Sequence, residues 1–172
     1  MKVIRKTTME LQPIALAESG KQAIALAKGD ELEIAGALWR VLRIQDGKAL
    51  IWKHTKLDQN SAFNHDNSNE YEGSDLQKAM KALPVPEELK NLISDDGFFA
   101  LSIEEVLEFM PTEEDRIAVD SDGETVFWWT RSALRSTGYG AWAVDPSGGV
   151  GYYGCAANSS FPLAPACAIR VI

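Results

Sequence analysis

The chain is poor in the residues that make covalent or metal cross-links. Its two cysteines, Cys155 and Cys167, are too few for a disulfide scaffold and lack CxxC spacing. They read as buried apolar residues, or as neighbours that pair in an oxidising compartment if both strands join one sheet. The two histidines, His54 and His65, have no acid or cysteine at metal-ligand spacing, so no metal site is expected. No apolar run approaches the ~20 residues of a membrane helix. The basic start from Met1 to Lys6 is not followed by an apolar signal core. The chain as written is therefore expected in the cytoplasm, away from membranes. A nucleophile elbow, a phosphate loop and a dinucleotide fingerprint are all missing. No catalytic residue and no cofactor are assigned, and an enzyme is the weaker hypothesis.

Lysine is also missing after Lys90. Of 172 residues, 17 are basic and 25 acidic, a net charge of −8. Residues 1–90 are balanced, with 13 of each sign. Residues 91–124 hold 11 acids against Arg116 alone. Residues 125–172 hold Asp145 against Arg131, Arg135 and Arg170. With no basic stripe to release counterions, a nucleic acid partner is not expected. The acidic segment reads as a solvated helical flank.

What the chain does have is ordinary globular composition, 45% hydrophobic and 24% charged. Its length suits one domain with a small extension, burying roughly 70% of the unfolded surface. Residues 1–28 read either as strands or as a helix. From residue 30 the pattern sharpens. Leu32 and Ile34 alternate with Glu31 and Glu33, a half-buried strand. Residues 38–44 and 49–52 make two strands around Asp46-Gly47, a type I′ hairpin signal. Residues 57–73 form a polar loop. Ser74 and Gln77 form a capping box for a helix with an apolar stripe of Leu76, Ala79, Met80 and Leu83. Pro86 opens a second helix with Leu89, Leu92 and Ile93 inward, and residues 98–101 make a short buried strand. Ser102 and Glu105 cap a further helix that ends by Pro111, and Glu113, Glu114 and Asp115 mark another helix start.

From residue 112 the texture is strand and loop. Strands are expected at 125–129, 141–144, 150–153 and 166–172, with Asp145 to Gly149 as a hairpin loop. Asp120-Ser121-Asp122-Gly123-Glu124 opens like a calcium loop, but its twelfth position is Arg131 instead of glutamate. Strands, then helices, then strands define an α+β fold.

Aromatics and glycines gather in this last third, the composition of a recognition surface and equally of a packed loop core. Trp128 and Trp129 are adjacent, so on a strand they face opposite sides. Trp39 and Trp128 are expected in the core, leaving Trp129 to a partner. Arg131 and Ser132 follow at the strand end, and Tyr139, Trp142, Tyr152 and Asn158 join them as ligand-binding candidates. Flat aromatic faces beside Arg, Ser and Asn suit a carbohydrate or protein ligand.

The order of motifs resembles an uncharacterised bacterial and phage domain family. The run Trp39-Arg40-Val41-Leu42 and then Gln45 to Leu50 matches its opening. Phe63-Asn64, Tyr71 to Leu76 and Leu101-Ser102-Ile103-Glu104-Glu105 follow in the family's order. Trp128-Trp129-Thr130-Arg131-Ser132 and the hairpin Ala141 to Gly149 complete it, over residues 30–172. Where the family's last strand opens with Arg-Pro-Ala, this chain has Ala164-Pro165-Ala166. The resemblance implies a C-type-lectin-like fold, similar to the formylglycine-generating-enzyme and variable-protein branch. It implies a mixed or antiparallel sheet whose N- and C-terminal strands pair, two or three helices, and a loop-rich C-terminal half. Residues 1–29 would then be an N-terminal extension packed on the domain. The aromatic, Gly-rich, lysine-free last third leads to the expectation of a non-enzymatic ligand-binding or display domain, and the resemblance adds phage or retroelement association and a virion-associated location by analogy. The alternatives are a glycan-active enzyme using loop carboxylates and a structural assembly domain of unassigned oligomeric state.

Overall fold

The computed structural model describes residues 1–7, 10–15, 26–150 and 155–171. The first 15 residues contain two strands, β1 (Lys2–Thr7) and β2 (Glu10–Ala15), paired antiparallel. The chain then builds β3 (Glu31–Ile34), β4 (Ala37–Gln45), β5 (Lys48–Lys53) and β6 (Asn60–Ala62). Three helices follow, α1 (Asp75–Ala82), α2 (Ile103–Phe109) and α3 (Glu113–Arg116). Then come β7 (Trp128–Ala133), β8 (Gly140–Val144), β9 (Cys155–Ala156), β10 (Ser160–Pro162) and β11 (Ala166–Arg170). All named strand pairs are antiparallel, so the fold is α+β. A six-stranded sheet runs β11-β5-β4-β3-β1-β2, a three-stranded sheet runs β7-β8-β9, and β6 pairs with β10. Among the described residues, no helix is long and apolar enough to cross a membrane.

Local chemistry sets several elements. Asp46 and Gly47 both take positive φ, 51° and 69°, as a type I′ turn requires. Ser102 and Glu105 cap α2 reciprocally, and Thr112 and Asp115 do the same for α3. Ser74 caps α1 by accepting from the Gln77 N–H, but the Gln77 side chain turns to Gly73 and Glu72, leaving half a capping box.

Burial explains the centre of the large sheet. Ala49, Leu50, Ile51 and Trp52 are all buried. Ala49 and Ile51 join Leu32, Trp39 and Cys167 on one face. Leu50 and Trp52 join Val106, Trp128 and Val144 on the other. A third cluster gathers Phe63, Leu76, Met80 and Trp129 between α1 and the small sheets.

Several expectations change. The segment after Pro86 makes only a 3₁₀ turn, Glu87–Leu89. The reason is long-range: Leu92 accepts from the Arg170 N–H and Ser94 donates to Ala168, so β11 takes the groups a helix would use. The polar 57–73 stretch contains β6, and residues 98–101 hold only an isolated bridge from Phe99 to Ala166. Glu31 is not on a wet face: it is 5% exposed, held by His54 and Arg40. The N- and C-terminal strands do not pair; β1 pairs with β3 and β2, and β11 with β5. The cysteines fall in different sheets, Cys155 on β9 and Cys167 on β11. The expected strand at 150–153 lies outside the described residues apart from Val150, which is not in a strand. The tail packs through its backbone, since Pro165 accepts from the Lys53 N–H and Ala166 exchanges backbone bonds with Phe99.

Candidate functional site

Arg131 is the sequence-selected residue around which a concave site forms. It leaves β7 toward the segment before α2, and its backbone N–H donates to the Leu101 carbonyl at 2.8 Å. Its guanidinium donates to the Ala100 carbonyl at 2.7 Å and meets Glu105 Oε2 at 2.9 Å. The charge also lies 5.6 Å from the centroid of the Phe99 ring, within cation–π range. Glu105 Oε2 accepts from the Ser102 N–H at 2.7 Å as well, so the residue that caps α2 also fixes the arginine. Ser132 is used internally: its Oγ accepts from the Ile103 N–H at 3.0 Å.

Around this pair runs a groove with two lobes. The lobe beside α1 has a volume of about 350 Å³ and is lined by Tyr71, Gln77, Lys81, Phe98 and Arg131. The lobe over the β4–β5 hairpin measures about 440 Å³ and is lined by Arg43, Gln45, Asp46, Lys48, Leu50 and Ala168. Both lobes share Asp96, Phe99 and Glu105. Each lies in the size range of small-molecule sites. Burial pushes the Tyr71 phenol up despite an N–H from Ala100 and the charge of Arg131, so it is neutral at physiological pH, its oxygen accepting from the Ala100 N–H.

The other candidates separate. Trp129 is 1% exposed, which corrects its assignment as a surface contact. It does face away from Trp128, but Phe63, Phe161 and the Ser61 carbonyl cover that second side. Trp142 is half-buried against the same core as Trp128. Tyr139 is 56% exposed on the loop after β7. The Asn69 amide ties that loop to itself through the carbonyls of Leu134, Thr137 and Gly140. Asn158 is exposed and its N–H donates to Asn67. Tyr152 lies outside the described residues. Neither Tyr139 nor Asn158 lines the groove.

Sequence reasoning passed over Tyr71, Gln77, Phe99 and Glu105 as site residues. Glu105 was visible only as a helix cap, and Phe99 only as part of a buried run. Their meeting depends on β7 crossing the start of α2, which no local pattern announces.

The acids of the 91–124 segment disperse. Glu104, Glu108, Glu113, Glu114, Asp122 and Glu124 are exposed. The Glu104 carboxyl is held below its usual range by backbone and Ser102 hydrogen bonds. Asp120 accepts from the N–H groups of Asp122 and Glu124, closing a turn that the calcium-loop pattern imitates. Among the described residues, no cluster of three His, Cys, Asp or Glu side chains is placed to hold a metal. Glu31 is a different case. Burial raises its carboxyl, but the hydrogen bond and charge of His54 and the charge of Arg40 outweigh that and hold it below its ordinary value.

No family model, no curated protein and no solved structure matches the chain.

Proposed function

We propose that this protein is a non-enzymatic binding domain that takes a neutral carbohydrate in the groove over Phe99. The observation that carries the reading is the juxtaposition of the half-buried Phe99 ring with Arg131 and Glu105, the two charged groups fixed against each other at 2.9 Å. A flat ring supplies the platform for the C–H face of a sugar, and fixed planar donors and acceptors read its hydroxyls at little entropy cost. Charge supports a neutral ligand. In a chain of net charge −8, the groove sets Arg43, Lys48, Lys81 and Arg131 against Asp46, Asp96 and Glu105. The backbone argues against an added peptide strand. The outer edge of β11 is already met by Ile93 and Phe99, so strand addition has no open ladder there.

The finer assignment, a C-type-lectin-like domain over residues 30–172, rests on the ordered motifs and the loop-rich C-terminal half. The pairing of β11 with β5 instead of β1 stands against its simplest form. A glycan-active enzyme draws on one observation, that Asp96 and Glu105 line one groove. Glu105 is already engaged by the Ser102 N–H and by Arg131, which suits a fixed acceptor better than a proton carrier.

The test is a glycan array of neutral sugars with wild type and Phe99→Leu, a change that keeps bulk and removes the flat face. Wild type is expected to retain a subset of sugars, with Phe99→Leu about tenfold weaker. The same binding profile from both proteins would sink the site.

A further inference from the structure

From the two-lobed shape of the groove, we infer that the ligand is a linear oligosaccharide lying across Phe99, with sugar units in both lobes. The inference rests on the carbohydrate reading above and adds the length of the ligand. Phe99, Asp96 and Glu105 border both lobes, so the two hollows adjoin along these three residues.

The floor of the far lobe is a register row. Arg43 on β4 and Ala168 on β11 both face Leu50 on β5. Three neighbouring strands span about 10 Å. The wall of the near lobe follows α1, where Gln77 and Lys81 stand one turn apart, about 6 Å along the axis. A single sugar ring fills one of these spans and leaves the other in water. A linear chain fills both and passes over the ring of Phe99. The hairpin end offers the planar amide of Gln45, whereas the amide of Gln77 is already held by the Gly73 N–H and Glu72. An amide presents a donor and an acceptor side by side, the pattern that reads vicinal hydroxyls.

The far lobe is the discriminating part. Gln45 and Lys48 pair across the exposed hairpin end and lie outside the three cores. Replacing both with alanine removes hydrogen-bonding groups from the far lobe without touching Phe99 or Arg131. The probe is an array carrying glucose, mannose and N-acetylglucosamine, each as linear chains of one to six units. At least one series is expected to bind only once the chain spans both lobes. Gln45→Ala with Lys48→Ala should then weaken the longest chain about tenfold, the value of one or two hydrogen bonds. The thermal midpoint of the double variant should match wild type, which separates lost contacts from lost fold. Equal binding of one unit and six, or a far-lobe variant that binds the long chain as wild type does, overturns the linear-chain inference and leaves the carbohydrate site standing. Binding of no series at any length overturns both.

Discussion

His65 holds its ring in solvent while Asp75, the first residue of α1, accepts from both its backbone N–H and its Nδ1. The hydrogen bond to Asp75 raises the His65 pKa above the ordinary 6.5. The His65 N–H and ring lower Asp75 below the ordinary 3.8. The histidine's contribution is complete below pH 6.5 and fades as pH rises through its raised value. The aspartate's is present above pH 3.8 and fades as pH falls through its lowered value. The pair is strongest between those limits. An NMR titration of the His65 Cε1–H should give a midpoint above 6.5 that Asp75→Asn returns to the ordinary value. A midpoint unmoved by that substitution would refute the pairing. Cys167 shows the opposite environment. Its thiol is buried, and burial alone pushes its pKa to about 12, so it is inert rather than a redox centre.

Elements meet through groups that no periodicity reports. Arg116, at the end of α3, is 8% exposed, and its guanidinium donates to the carbonyls of Met110, Pro111 and Gly148. It ties the α2–α3 corner to the loop after β8, while its own carbonyl accepts from Trp128 Nε1. At this junction Gly148 takes φ +84°, and a Cβ there would lie 1.9 Å from the Glu113 carbonyl oxygen. Gly148→Ala should therefore cost about 2–4 kcal/mol, from backbone strain and overpacking together. Urea unfolding measures it; an unchanged midpoint would show that the junction gives way freely. The same junction marks what a sequence can tell. The hairpin at Asp46-Gly47 and the α2 cap are legible because their partners lie within four residues. The 3₁₀ turn at Glu87–Leu89 was not, because β11, some 75 positions on, takes the following backbone groups. Nor was the groove, whose Phe99, Glu105 and Arg131 meet only in three dimensions.

At the scale of the whole molecule, the two adjacent tryptophans of β7 link separate cores. Trp128 lies 4.9 Å from Trp52 in one, and Trp129 lies 4.6 Å from Phe161 beside the other. Alternation along a strand predicted their opposite directions. It did not predict that both sides are covered, since the covering β6–β10 pair is made of three-residue strands too short to stand out. Trp129→Ala should cost about 3–5 kcal/mol, a large share of the ~5–15 kcal/mol that holds a domain of this kind. Because β7 borders both cores, unfolding should remain one transition by circular dichroism and tryptophan fluorescence alike. Two separated transitions would show that the cores melt independently. The acidic surplus acts at this scale too: of the 91–124 acids only Asp96 and Glu105 line the groove, where Arg43, Lys48, Lys81 and Arg131 offset them and Asp46.

The bridge between Phe99 and Ala166 has a consequence for timing. The aromatic platform is braced from behind by β11, and Ala168 of that strand is part of the groove's floor. On the ribosome, β4, β5, α1 and α2 all emerge before it. A nascent chain that has not yet reached residue 170 lacks the brace and one wall of the groove, however well its earlier strands have paired. The hollow over the β4–β5 hairpin is thus complete only once β11 has paired with β5.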